Sequence, residues 1–222
     1  MARKSPPPQY AVVLGFLNVS ADLFCNLICN FLKELTVKLP HSSPLAWNSQ
    51  PARFEIITYL LFWLWYSLKL HHHDSTVTDE ITDYCEAEIV EQYKAAIQEC
   101  PNLPAVIDRR LEIYTSTVND HVDEGWGVAL SAVHKVLANC LASSANRVQA
   151  DCYSPLVIGG FDAWCLFVSG LDTIDFQVPF GCGLKHLFAH CTNITTVPVD
   201  EMLKHIREGV AEHAQICRDA KI

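Results

Sequence analysis

The residues best suited to chemistry are Cys182, His186 and His190, which recur at steps of four and share one side of a short helix predicted over about 183–191. One thiolate and two imidazoles at that spacing can hold zinc or another transition metal. A structural zinc site, however, gathers ligands from two segments, and no second segment stands out, so a metal cofactor is not favoured. Cys182 also lies between Gly181 and Gly183 near the helix N-terminus, with Lys185 and His186 following. That setting lowers a thiol pKa and makes the sulfur nucleophilic. No partner acid or oxyanion donor can be named beside it, so a packed cysteine with two partly exposed histidines is the simpler reading.

Glu55 is the second candidate, because it is an acid on an otherwise apolar segment, FEIITYLLFWLWYSLKL at 54–70, and shares a helical side with Thr58, Tyr59, Phe62 and Tyr66. A carboxylate there is a metal ligand or a raised-pKa acid if a neighbouring helix brings Glu112, His121, Asp123 or His134 to it. The simpler reading places Glu55 in the first helical turn, favoured by the helix dipole and paired with Arg109 or Arg110.

Three further patterns resolve into plain features. Glu201, His205, Glu208 and Glu212 have metal-ligand spacing but lie opposite Leu203, Ile206 and Val210, which predicts a solvated charged face. His71, His72 and His73 close the 54–70 segment as a solvated helix end. Asn18-Val19-Ser20 and Asn193-Ile194-Thr195 match the glycosylation acceptor pattern, which matters only in a secreted chain. Glycine-rich phosphate loops, serine nucleophile elbows and HExxH are absent from the sequence.

The elements that must position these residues are helices. The 54–70 segment has no wide polar face, so it is a core helix. At about 25 Å it is short of a ~30 Å hydrocarbon core, and it carries Glu55, so an integral span is not expected. Val13, Phe16, Ser20, Phe24, Leu27, Phe31 and Leu35 repeat at three or four, predicting a first helix over about 11–36 that holds Asn18, Asp22, Asn26 and Asn30 on or near its apolar side. Further helices are predicted from Thr78, as N-cap, to about Cys100, then over 105–121, 128–143 and 154–168, and finally from about Pro198 to the C-terminus. Gly159-Gly160 either kinks its helix or admits a close neighbour. The expectation is an all-α fold of six to eight helices around 54–70. A basic, proline-rich tail over 1–9 precedes one domain over 10–222.

Composition narrows the function classes. The 222 residues are 50% hydrophobic and 18% charged, with a formal charge of −9, and their basic residues do not cluster with aromatics. Disorder and nucleic-acid binding are therefore not expected. The ten cysteines form no CxxC pair and sit mostly in apolar helical patterns, as reduced, buried thiols do. Arg3 to Ala21 imitates a signal peptide, but Pro6 to Pro8 interrupts it and cleavage would cut the first helix, so a cytoplasmic location is expected and secretion is the alternative. The resulting expectation is a non-enzymatic helical interaction or scaffold protein that binds a protein partner or itself through leftover apolar surface. The alternatives are a helical enzyme or metal protein using Cys182, His186 and His190 or Glu55, and a lipid-handling or membrane-associated protein.

Overall fold

A computed structural model of the chain describes residues 8–36, 49–71, 75–97, 102–141, 154, 157–161, 164, 165, 204, 208, 211 and 215. Among them the regular structure is helical: α1 (Pro8–Thr36), α2 (Gln50–His71), α3 (Ser75–Tyr93), α4 (Leu103–His121), a 3-10 turn over Val122–Glu124, and α5 (Trp126–Leu141). Residues 157–161 are helical as well. The chain is all-α, as its periodicity predicts.

The burial of α2 follows from its composition. Every residue from Ile56 to Leu64 is buried, and α2 packs against α1, α3, α4 and α5. A helix that is apolar all round is stable in water only when neighbours cover every side, and each large side chain buried contributes roughly 1.5–3 kcal/mol. Aromatic edges fill the space around it. The Tyr59 ring meets Phe24 at 6.0 Å, Tyr114 at 5.7 Å and Phe161 at 6.1 Å between centroids, all near perpendicular. That geometry sets a ring edge against a π face.

Cross-helix contacts give the directions. Phe54 meets Tyr93 and Lys69 reaches Asp79, so α3 runs opposite to α2. Arg110 meets Glu55 while Tyr114 meets Phe62, so α4 runs with α2. Trp126 meets Tyr66 and His134 meets Tyr59, so α5 runs against it. Asp22 pairs with Arg53 and Tyr10 donates to Glu80 at 2.9 Å, which makes α1 antiparallel to α2 and parallel to α3. Among the described residues beyond α5, Gly160 lies at Phe24 and Trp164 at Phe16 of α1.

Local signals explain the helix ends. The Asn102 side chain accepts from the Ala105 amide at 3.3 Å and Pro104 occupies the first turn, so α4 begins at Leu103, two residues before the predicted start. Gly125, at φ +116°, ends the 3-10 turn in a region closed to most side chains. At Gly160 a Cβ would lie 2.8 Å from the Phe24 ring, so the close neighbour that the glycine admits is an aromatic side chain of α1.

Three expectations are corrected. Thr78 is not an N-cap: α3 begins at Ser75, Thr78 is buried inside it, and the helix ends at Tyr93 rather than near Cys100. Glu55 is not in the first turn, because α2 starts at Gln50, so the dipole at that terminus does not account for it. Asp22, Asn26 and Asn30 lie on the exposed face of α1, while Val13, Phe16, Ser20 and Phe24 form the buried stripe. The acid is tolerated there because it stays in water and meets Arg53.

Candidate functional site

Glu55 is held by α4. Arg110 donates from Nε to Oε2 and from a terminal nitrogen to Oε1, each at 2.8 Å, in a bidentate pair whose side chains are 24% and 15% exposed for Arg110 and Glu55. The hydrogen bonds to Glu55 push the guanidinium pKa up, against burial. A carboxylate with both oxygens engaged this way is a structural anion, since using it as a base or ligand first requires breaking a partly desolvated pair. Of the two arginines considered from sequence, Arg110 is the partner, and Arg109 is exposed.

Two groups that the sequence reading did not single out complete this end of the bundle. Cys140, from the last turn of α5, and Tyr114, from α4, lie against the Glu55–Arg110 pair. Burial, reinforced by the Glu55 charge, pushes the Cys140 thiol up to about 12. Burial raises Cys25 and Cys85 to about 12 as well. All three remain protonated at neutral pH and are poor nucleophiles.

The groups proposed to join Glu55 are placed elsewhere. Glu112 and Asp123 are exposed, His121 pairs with Glu124 at 3.1 Å, and His134 is buried between Tyr59 and Phe161. Burial lowers the His134 pKa to about 3, and its Nε2 meets no hydrogen-bond partner among the described residues. It is a neutral core imidazole. No group of three or more His, Cys, Asp or Glu suited to a metal occurs among the described residues. Cys182, His186 and His190 lie outside the described residues, as do Glu201, His205 and Glu212. Glu208 is exposed and pairs with Lys204 at 3.8 Å, as a solvated face requires. Asn18 donates to the Leu14 carbonyl at 3.1 Å and Ser20 is fully buried, so the first glycosylation pattern is folded into α1.

The other end of the bundle has a different surface. There α2 finishes, α3 begins and α5 begins, and Leu70 (55%), Val77 (41%) and Val128 (43%) are exposed. Beside them Trp65, Tyr66 and Trp126 are partly buried, with Trp126 and Tyr66 edge to face at 6.0 Å. The Lys69 ammonium lies 5.9 Å from the Trp65 ring centre and 2.8 Å from Asp79. From this end the outward face of α1 continues through Val12 (51%), Gly15 and Val19 (55%), without a charge until Asp22. The sequence signal for this surface is the step of three to five from Trp65 and Tyr66 to Lys69 and Leu70. It was hidden because the same residues also extend the apolar run of the core helix. Compared with family models, curated proteins and solved structures, the chain has no match.

Proposed function

We propose that this chain is a non-enzymatic helical interaction protein that docks its partner on the bundle end formed by the α2 C-terminus and the first turns of α3 and α5. One observation carries the reading: Leu70, Val77 and Val128 are all exposed at one end of the bundle, the end that also holds the partly buried rings of Trp65, Tyr66 and Trp126. Isolated exposed aliphatics are ordinary, but several at one end, backed by aromatics, have the composition of a contact surface. The opposite end supports the same reading, because its acid is tied to Arg110 and its thiol is raised by burial.

The test compares wild-type protein with a Leu70→Gln, Val77→Asp, Val128→Asp variant. Self-association is read by sedimentation velocity and adsorption by co-sedimentation with membranes. Loss of a wild-type association in the variant supports the reading. Identical behaviour of the two proteins in both measurements overturns it. Stoichiometric metal in tag-free protein, or alkylation of Cys182 faster than the other cysteines, would transfer the function to the Cys182, His186 and His190 segment.

A further inference from the structure

We propose that the joint between α5 and residues 157–161 is an acid-opened seam: when His134 takes up a proton, the stretch carrying Phe161 parts from α5 while α1 to α5 stay folded. The inference goes beyond the docking reading and does not depend on it. Its basis is packing. His134 is 4% exposed in the middle of α5, and its ring centre forms a triangle with those of Phe161 and Tyr59, with edges of 4.8, 6.1 and 6.2 Å. A neutral imidazole fits such a cage as one more flat ring. An imidazolium does not, because burial among apolar rings penalises the charge and a hydrocarbon wall offers it no counter-ion.

The elements packed around His134 supply phenols rather than free acids among the described residues. On α2 the neighbour is Tyr59, and the Glu55 carboxylate one turn before it is taken up by Arg110. On α4 it is Tyr114, 5.7 Å from the Tyr59 ring. Asp123 and Glu124 of the 3-10 turn and Lys135 of α5 are exposed, and residues 157–161 carry no ionisable side chain. Asp162 lies outside the described residues and enters the experiment below. Burial accordingly holds the His134 pKa near 3. A proton therefore reaches His134 by exposing it, and its covers differ in what their removal costs. Tyr59 belongs to α2, which packs on α1, α3, α4 and α5, so withdrawing it dismantles the core. Phe161 can leave while those helices keep their direct contacts with one another. Its departure parts aromatic contacts with His134, Tyr59 and Trp63, the last at 5.5 Å. It also wets Trp63 Nε1 and His134 Nε2, two buried atoms without a hydrogen-bond partner among the described residues, which offsets part of the cost.

The sign follows from the two forms. Closed, the imidazole stays neutral down to about pH 3; open, it titrates near the ordinary 6.5. The closed form is fully favoured above pH 6.5, and below it the open fraction rises by up to tenfold per pH unit, about fiftyfold from pH 6.5 to 4.5. The experiment is hydrogen exchange of the full chain at pH 6.5 and 4.5, read by mass spectrometry, with each rate divided by that of the unstructured chain at the same pH. Peptides over 157–161 are expected to be roughly tenfold or more less protected than those over 56–64, as a locally opening unit is, and to lose about fiftyfold of their protection between the two pH values. In His134→Phe, which keeps a ring in the cage, that loss should largely disappear. Equal protection of 157–161 and 56–64 overturns the proposal, because the stretch then opens only when the bundle unfolds. Protection of 157–161 that ignores pH in the wild type overturns it even if His134→Phe does not fold, and so does an acid loss that His134→Phe retains. Protection that rises at pH 4.5, and that Asp162→Asn abolishes, also overturns it by showing that a carboxylate holds the imidazolium in the closed form.

Discussion

At the end of the bundle where α2 begins, Arg110 joins α4 to α2 through both oxygens of Glu55, and Arg53 joins α2 to Asp22 of α1. At the end where α2 finishes, the ion pairs Lys69–Asp79 and His121–Glu124 are exposed, Trp126 packs on Tyr66, and Leu70, Val77 and Val128 remain in water. Both ends cap the same core, so core stability does not require the difference. The first end uses its polar groups to tie helices together and leaves them committed. The second carries the exposed Lys69–Asp79 pair between α2 and α3 and leaves apolar side chains exposed. A surface pair of that kind is worth at most about 1 kcal/mol, whereas a partly desolvated bidentate pair is expensive to break from one side. The contrast is that the described polar groups of the first end are engaged in joining helices, whereas the second end is the one proposed above to dock a partner.

The largest effect is expected midway between the ends and sets the baseline for comparing them. His134, neutral and buried, has a folded pKa of about 3 against an ordinary 6.5. The unfolded chain therefore takes up a proton as pH falls through 6.5 while the folded chain does not. The stability contribution is complete above 6.5 and is lost progressively toward pH 3. At roughly 1.4 kcal/mol per unit, about 4 kcal/mol goes between pH 7 and pH 3.5. Urea unfolding at pH 7, 5 and 3.5 should show this acid loss in the wild type and a much shallower one in His134→Leu. Equal slopes would remove the buried imidazole as its cause.

Next in size is a break in the tied end. Arg110→Ala leaves Glu55 partly buried without its cation and should cost about 2–4 kcal/mol in urea unfolding at pH 7. Arg110→Ala combined with Glu55→Ala should recover part of that loss, because the stranded charge goes with its partner. A double variant no more stable than the single one would show that packing, not charge, holds this end.

A smaller effect lies on the flank between the ends. Burial first, then Asp108 and Asp83, raise the Glu86 carboxyl to about 7 from an ordinary 4.5. The folded chain holds this proton more tightly, so the contribution is complete below pH 4.5 and is lost as pH rises through 7. Allowing for partial solvent screening, Glu86→Gln should gain about 1 kcal/mol over wild type at pH 8, and the gain should vanish near pH 4.5. A pH-independent difference would exclude carboxylate repulsion. The smallest change is expected at the open end: the Leu70→Gln, Val77→Asp, Val128→Asp variant should keep its unfolding free energy within about 0.5 kcal/mol of wild type. A large loss there would mean that these side chains hold the bundle together and would erase the contrast.

Much of this arrangement was legible along the chain. The three-to-four spacing of Val13, Phe16, Ser20 and Phe24 identified the buried side of α1; in α4 the same spacing puts Ile107, Leu111, Tyr114, Val118 and His121 on one face, of which Ile107, Tyr114 and Val118 are buried while Leu111 and His121 are partly exposed. The near absence of polar residues after Glu55 marked α2 for burial. Local signals were weaker at helix ends. Thr78 resembled a cap because Asp79 and Glu80 follow it, yet its hydroxyl is buried within α3, whose first turn begins at Ser75. Asp22 was placed on the wrong side of α1 because polar and apolar residues there differ by about one step in three, which a wheel alone resolves poorly.

The sequence by itself determined that the chain is helical, that 54–70 must be surrounded, and that Glu55 needed either a cation or a function. Those conclusions depend on hydrophobic period and on the cost of burying an unpaired charge, and both are local properties of the residues. Only the tertiary structure decided between Arg109 and Arg110, put Cys140 and Tyr114 beside the pair, and showed that Gly160 makes room for Phe24. It also brought Leu70, Val77 and Val128 to one end, because helix direction and crossing are set by packing between segments distant in the chain.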